Sequence, residues 1–172
     1  KDVAPDPAIA ALPGPIQLYV GRVAVEKNIE AFLASDHPGT KVVVGDGPAR
    51  AMLEARFPAT HFIGPRFGPT LAAAYAAADV FVFPSRTDTF GLVMIEALAC
   101  GVPVAAYPVT GPVDVLVPTV GAMDDDLTAA IATALTRDRA ACAAYGAGFT
   151  WEASARQFLA ALVPVIDEAL AA

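Results

Sequence analysis

Cysteine, basic side chains and long apolar runs are all scarce in this sequence. Two of its 172 residues are cysteines, Cys100 and Cys142, and because they match no metal-ligand spacing we interpret them as buried free thiols of a reducing compartment. Eleven lysines and arginines stand against eighteen acids, and the net charge of −7 disfavours nucleic-acid binding. No apolar run reaches the roughly 18 residues that span a membrane. We therefore expect a cytoplasmic protein whose anion sites use a few cations and backbone amides.

Two nucleotide-binding fingerprints are also missing. No Gly-x-Gly-x-x-Gly follows the first predicted strand and no Walker loop occurs, so a nicotinamide, flavin or P-loop site has no sequence support. The run Asp124-Asp125-Asp126 is typical of a helix N-terminus, where the helix dipole favours carboxylates. We expect neither a metal ion nor a cofactor.

Apolar runs alternate with short helical patterns along most of the chain. This alternation predicts an α/β fold, a doubly wound, Rossmann-like parallel sheet of about six strands in the order 3-2-1-4-5-6. The predicted strands are 16–20, 41–44, 61–63, 80–83, 104–107 and 120–123. The predicted helices are 26–34, a helix ending at Phe57, a helix ending at Ala78, then 90–100, 125–136, 138–146 and 151–170.

The two ends of the chain carry separate expectations. Residues 1–15 contain four prolines and predict a linker from a missing N-terminal domain, whereas residues 16–172 predict one domain. In the last predicted helix, Trp151, Phe158 and Leu162 fall on one stripe, which we interpret as core. Asp46, in the loop after the second predicted strand, is expected to have a structural role.

The stretch from Pro84 to Pro103 organises the chain. It joins the end of a predicted buried strand, a polar turn and a helix that is apolar almost all round and is therefore expected to be buried. This helix has one acid, Glu96, and Asp88 lies eight positions earlier. Between the two acids, free backbone amides form a ready anion site. They belong to Thr89, Phe90, Gly91 and Leu92.

This spacing fits a ligand with an anionic middle and hydroxylated ends, such as a nucleoside diphosphate-sugar. The alternative is that Glu96 ends in a salt bridge and Asp88 merely caps the helix. Arg22 and Lys27 follow the first predicted strand, whose end meets the same edge of the sheet, and they could neutralise a diphosphate. Their alternative interpretation is two solvated charges.

The residues of this stretch resemble the signature of the family-4 retaining glycosyltransferases. The pattern Phe-Gly-x-x-x-x-Glu-Ala-x-Ala-x-Gly-x-Pro-Val runs from Phe90 to Val104, with an acid at Asp88. Gly21-Arg22 followed by Lys27 is similar to the Arg and Lys with which the family grips a diphosphate. The segments 45–48 and 75–85 fit as well, so the resemblance covers residues 16–162. The sequences of these motifs look most like those of bacterial GDP-mannose-dependent α-mannosyltransferases.

The resemblance implies a role for each matching residue. Arg22 and Lys27 would hold the diphosphate, and Glu96 would bind the ribose hydroxyls. Asp88 would be the catalytic-site carboxylate that contacts the hydroxyls of the donor sugar, where the family commonly has the longer Glu. The backbone amides at the start of the helix in the stretch from Pro84 to Pro103 would contact the sugar and the phosphates. The loop with Arg66 and Phe67 would bind the base, largely through its backbone. The donor-contacting group at the helix start is Thr89, Phe90, Gly91 and Leu92.

The resemblance further implies that residues 16–172 are the C-terminal, donor-binding half of a GT-B enzyme. The whole enzyme would transfer a hexosyl group, such as mannosyl, from a nucleotide-sugar to an unknown acceptor, without metal or cofactor. An N-terminal domain would bind the acceptor and could attach the enzyme to the inner membrane surface. The chain alone is expected to be inactive. Two alternatives are half of a nucleotide-sugar epimerase of the same fold and a stand-alone nucleotide-binding module.

Overall fold

A computed structural model describes residues 3–162 of the chain. Its six strands form one parallel sheet in the order β3-β2-β1-β4-β5-β6, so the predicted order is confirmed. The observed strands differ from the predicted ones by at most one residue at either end. They are β1 Ile16–Val20, β2 Thr40–Val44, β3 His61–Gly64, β4 Val80–Phe83, β5 Val104–Ala106 and β6 Gly121–Met123.

Helices cover both faces of this sheet. Successive side chains of a strand point to opposite faces, so Phe81 and Phe83 of β4 pack in one core while Val80 and Val82 pack in the other. All four are buried. The helices are α1 Pro7–Ala10, α2 Ile29–Leu33, α3 Arg50–Arg56, α4 Gly68–Ala76, α5 Leu92–Ala99, α6 Pro112–Val115, α7 Leu127–Ala134, α8 Arg139–Gly146 and α9 Trp151–Ala161.

The predicted helix over 26–34 is divided in two. A 3₁₀ turn spans Val25–Lys27, and α2 begins only after Asn28, which adopts a left-handed conformation with φ of 53°. Asparagine tolerates this conformation better than most residues. The Asn28 side-chain amide donates to the carbonyl oxygen of Pro84 at 3.0 Å. The break therefore ties the loop after β1 to the loop after β4.

Within residues 1–15, which were predicted to be a linker, Pro7–Ala10 forms a short helix. The Asp6 carboxylate accepts hydrogen bonds from the amides of Ala8 and Ile9, and Pro7 at the first helical position already has a helical φ. Ile9 is 2% exposed and packs in the core with α4. This N-terminal segment therefore belongs to the packed domain, and its origin in a linker stays a prediction.

The expectation that the stripe on α9 is core is also wrong. Trp151, Phe158 and Leu162 are 88%, 67% and 55% exposed, and α9 contributes no buried residue within the described chain. The stripe shows that one face of the helix is apolar but carries no information about what covers it. The part of the predicted helix beyond Leu162 lies outside the described residues.

Three further features are the two cysteines, the short helix α6 and the length of the helices. Cys142 is buried and Cys100 half-buried, both as free thiols. Short α6, which the sequence analysis did not predict, starts at Pro112 after Gly111. Within residues 3–162, no helix combines the length and the apolar character needed to cross a bilayer.

Candidate functional site

A crevice opens at the carboxyl ends of β1 and β4, where the winding of the sheet reverses. Open parallel sheets bind their ligands at this point. The crevice has two adjoining cavities of about 640 and 410 Å³, which share Val20, Gly21, Arg22 and Val93 in their walls. A separate groove of about 410 Å³ beside α2 and α3 has one charged residue, Glu30, in its lining and no cation. Of these three cavities, the two that form the crevice are lined by cations.

The loop after β1 is held by close backbone packing. A Cβ atom at Gly45, in the loop after β2, would lie 1.9 Å from the carbonyl oxygen of Gly21, so only glycine fits there. The Tyr19 hydroxyl donates to the carbonyl oxygen of Arg22 at 2.9 Å. Burial, followed by the charges of Asp88 and Glu26, raises the pKa of Tyr19, so this donor keeps its proton. The position of the Arg22 backbone is thus fixed.

Asp46 has the structural role that was expected, although it does not cap α3. Its carboxylate accepts from the amide of Gly47 at 2.8 Å and lies 3.9 Å from the Arg50 guanidinium. Its backbone carbonyl accepts from the amide of Val23 at 2.9 Å. The residue joins the loops after β1 and β2.

Both cations of the loop after β1 have carboxylate partners. Lys27 Nζ donates to Asp88 Oδ1 at 2.5 Å, and about a quarter of each side chain is exposed. Arg22 Nη1 lies 3.5 Å from Glu26 Oε1 in a more exposed pair, with 65% and 53% of the side chains accessible. Neither cation is simply solvated, and Asp88 does not cap α5. The structure instead joins Lys27 and Asp88 across the crevice.

The start of α5 supplies unused hydrogen-bond donors. Gly91 precedes the helix with φ of 76°, and no side chain caps it. A Cβ atom there would lie 2.8 Å from Met94 Cε and 3.0 Å from Phe83 Cζ. Among residues 3–162, none of the amides of Thr89–Leu92 donates to another protein group. These amides, together with the positive end of the helix dipole, are suited to an anion.

The expectation that α5 is buried all round is wrong, because one side of the helix forms the crevice wall. Leu92 is 64% exposed, and Glu96 is exposed as well. Glu96 Oε2 accepts from the Tyr75 hydroxyl at 2.9 Å, and no salt bridge to Glu96 exists among the described residues. The salt-bridge alternative for Glu96 is therefore excluded within that part of the chain.

Tyr75 is a site residue to which the sequence analysis gave no role. It is 1% exposed, and its pKa is raised by burial and then by the Glu96 carboxylate. The hydroxyl consequently stays protonated and orients one oxygen of Glu96. A tyrosine inside the alanine-rich α4 could have indicated a polar contact here, because a buried tyrosine hydroxyl usually has a hydrogen-bond partner.

All the predicted site residues line the crevice. The larger cavity contains Lys27, Asp88 and the segment 89–92, while the smaller contains Arg66, Phe67 and Glu96. Arg22 lines both cavities. Within the described residues, no cluster of three or more histidine, cysteine or acidic side chains could hold a metal ion. The individual roles of these residues stay predictions.

Residues 14–137 match the family model described as "Glycosyl transferases group 1". The chain belongs to this family. A GDP-mannose-dependent alpha-mannosyltransferase of Mycobacterium tuberculosis (strain CDC 1551 / Oshkosh) is 44% identical over 106 residues, which cover 60% of this chain and 28% of the relative. A protein of the same name from Corynebacterium glutamicum is 35% identical over 162 residues, covering 86% of this chain and 39% of the relative.

Solved structures of glycosyltransferases share the fold. Sucrose-phosphate synthase from Thermosynechococcus elongatus is 30% identical with a TM-score of 0.64, and the match covers 92% of this chain and 50% of the synthase. The family and the fold predicted by the resemblance are thus confirmed. The chain corresponds to the C-terminal domain of a family-4-like glycosyltransferase of GT-B fold. It spans well under half the length of the two mannosyltransferases.

Proposed function

We propose that the chain is the nucleotide-sugar-binding domain of a retaining glycosyltransferase that uses GDP-mannose as its donor. The crevice carries this proposal, since cations and free amides lie between two carboxylates at the carboxyl ends of β1 and β4. The names of the two mannosyltransferase relatives support the choice of guanine and mannose.

The layout supports an extended binding mode along the crevice. Glu96 shares the smaller cavity with Arg66 and Phe67, so a ribose on Glu96 would lie beside the base. The diphosphate would follow at Arg22, which lines both cavities, and at Lys27. The sugar would end near Asp88, whose Oδ2 atom has no hydrogen-bond partner among the described residues.

The proposed chemistry is electrostatic. Transfer breaks the bond between the anomeric carbon of the sugar and a diphosphate oxygen, and it forms a bond from that carbon to the hydroxyl oxygen of the acceptor. Negative charge grows on the leaving diphosphate, which can take up the hydroxyl proton. Arg22, Lys27 and the amides of 89–92 would stabilise that charge with donors that are already in position. Arg22 would exchange Glu26 for phosphate, whereas Lys27 is held in place by Asp88. The scheme requires neither a metal ion nor a cofactor.

The acceptor would be bound by an N-terminal domain that faces the crevice. We propose that this domain also mediates any association with the inner membrane surface, on the cytoplasmic side. The relatives named above are transferases, which favours transfer over both alternatives, epimerisation and simple nucleotide binding. If the complete enzyme were an epimerase, it would convert GDP-mannose without an acceptor. If it is a transferase, it requires an acceptor.

A thermal-shift panel tests donor binding directly. A ligand that binds only the folded state stabilises it by RT ln(1 + [L]/Kd), about 2.7 kcal/mol at a hundredfold excess over Kd. We expect GDP and GDP-mannose to raise the melting temperature, and guanosine and mannose to leave it nearly unchanged. If no nucleotide or nucleotide-sugar stabilises the folded chain at millimolar concentration, the proposal is wrong.

A further inference from the structure

Arg66 differs from the other charged residues that line the smaller cavity of the crevice. Arg22 is paired with Glu26, and Asp46 is held by Gly47 and Arg50. Glu96 accepts from Tyr75. Arg66, half-buried, has no hydrogen-bond or ion-pair partner among residues 3–162.

The guanidinium fork of Arg66 is therefore without a partner among residues 3–162. Removing a charge from water without compensation is unfavourable, so a half-buried arginine in a cavity wall is suited to a partner that arrives from outside. Its five N–H groups are all donors in a rigid plane, and it can read only acceptors. Two parallel acceptors on one planar edge match it best.

The position of Arg66 within the cavity distinguishes a base from a phosphate. Arg66 and Phe67 line the cavity that contains Glu96, whereas Lys27 and the free amides of 89–92 line the other cavity. Phe67 is 77% exposed, so its ring face is available for stacking. An exposed aromatic ring beside a donor fork is suited to the flat face and the polar edge of a nucleobase.

We propose that Arg66 is the specificity-determining residue for the base and selects guanine, with Phe67 stacking on the ring. Guanine presents O6 and N7 as two acceptors on one edge, and arginine binds this pair bidentately. Adenine places an amino donor where guanine has O6, and a pyrimidine with O4 offers a single acceptor. This inference rests on the proposed function and deepens it, because it assigns the choice of base to one side chain.

The two side chains would contribute differently. Every base has a π face, so Phe67 would strengthen the binding of all nucleotides without choosing among them. Arg66 would discriminate through geometry rather than charge. A lysine at this position keeps the charge but loses the fork, so it would not restore selectivity.

Calorimetric titration of the 172-residue chain with GDP, IDP, 7-deaza-GDP, UDP, ADP and pyrophosphate tests the proposal. The wild type should bind GDP and IDP about tenfold to a hundredfold more tightly than UDP or ADP, since a bidentate contact discriminates by that order. 7-Deaza-GDP, which lacks N7, should bind about tenfold more weakly than GDP. Pyrophosphate should bind without involving Arg66.

Variants make the result specific. Arg66→Ala and Arg66→Lys should both bind GDP, 7-deaza-GDP and UDP with nearly equal affinity, and both should bind pyrophosphate as the wild type does. Phe67→Ala should weaken GDP and UDP by the same factor. Arg156→Ala, on the exposed face of α9, is the arginine control and should change nothing. Circular dichroism verifies that each variant is folded.

The possible failures are distinguishable. If Arg66→Ala weakens GDP, UDP and pyrophosphate equally, or if Arg66→Lys behaves as the wild type, Arg66 acts as a phosphate charge and the inference is overturned. The proposed function would survive that outcome. If the folded wild type binds none of the nucleoside diphosphates, the proposed function itself fails.

Discussion

At the scale of single residues, the acidic partners of Arg22 and Lys27 matter as much as the cations themselves. Each partner keeps its cation near the crevice when no ligand is bound, and each competes with a phosphate for it. The Arg22–Glu26 pair is exposed, and such a pair contributes little to stability, about 0–1 kcal/mol. Removing Arg22 should therefore affect ligand binding far more than folding.

The first prediction compares two arginines that are both ion-paired and similarly exposed. Arg22→Ala should weaken GDP binding about tenfold or more, because a hydrogen bond to a charged group contributes about 1.5–3 kcal/mol. Arg56 pairs with Glu30 at 2.7 Å, is 58% exposed and lies outside the crevice lining, so Arg56→Ala is the matched control. Titration and melting of both variants provide the measurement. Equal GDP affinity in the two variants would contradict a diphosphate role for Arg22.

The second prediction concerns Glu96. Glu96→Gln should keep the melting temperature, because the amide oxygen can still accept from Tyr75, but it should weaken GDP by several-fold through loss of charge assistance. The 2′,3′-dideoxy form of GDP should bind wild type and variant alike, since it lacks both ribose hydroxyls. Glu152→Gln on α9 is the control. A collapsed melting transition with unchanged affinity would assign Glu96 a structural role instead.

Several residue-level features could be read from the sequence and others could not. The two acids and two cations were identifiable because their spacing places them at one edge of a parallel sheet. The pairing of Lys27 with Asp88 was not, since they are 61 positions apart and meet only through the packing of two loops. The contact between Tyr75 and Glu96 was not identifiable either, because it depends on how α4 packs against α5.

At the scale of elements, the strands were predictable because each is a short, mainly apolar run, and β1, β4 and β5 are buried on both faces. Helix boundaries depended on single backbone conformations. α5 begins at Leu92 rather than at residue 90 because Gly91 has a positive φ, and α2 is broken at Asn28 for the same kind of reason. Composition also could not reveal that one side of α5 forms a cavity wall. Helices as short as α1 and α6 leave too little periodicity to detect.

The third prediction tests the contact between the loops after β1 and β2. Gly45→Ala should lower the free energy of unfolding by about 2–4 kcal/mol, because its Cβ would overlap the Gly21 carbonyl oxygen and its φ of 139° is strained for alanine. Gly68→Ala also has a positive φ, 52°, but its Cβ meets nothing within 4 Å. We expect Gly68→Ala to lose only about 1 kcal/mol. Urea denaturation of both variants separates steric overlap from backbone strain, and equal losses would refute the overlap.

At the scale of the whole molecule, the strand order followed from the alternation of strands and helices, which admits few arrangements. The exposure of α9 could not be predicted in this way, because the sequence pattern of an apolar stripe is the same whether or not another surface covers it. The proposed donor site lies in the crevice, and we propose that the acceptor is bound by a further domain.

The fourth prediction follows from that arrangement. The purified chain should bind GDP-mannose but should not transfer mannose to any acceptor that the complete enzyme uses. Calorimetry measures the binding, and a radiolabelled transfer assay with the complete enzyme as positive control measures the activity. Transfer by the chain at the rate of the complete enzyme would show that the acceptor site lies within these 172 residues.

The exposure of α9 has a consequence for optical spectroscopy. Trp151 is the only tryptophan in the chain and is 88% exposed, so its fluorescence in the folded state should already be that of an indole in water. Unfolding should shift this emission very little, and a denaturation curve recorded by tryptophan fluorescence would look flat while far-ultraviolet circular dichroism shows a cooperative transition. A blue shift would instead report that another surface has covered α9, which makes the native fluorophore a sensor of docking rather than of folding.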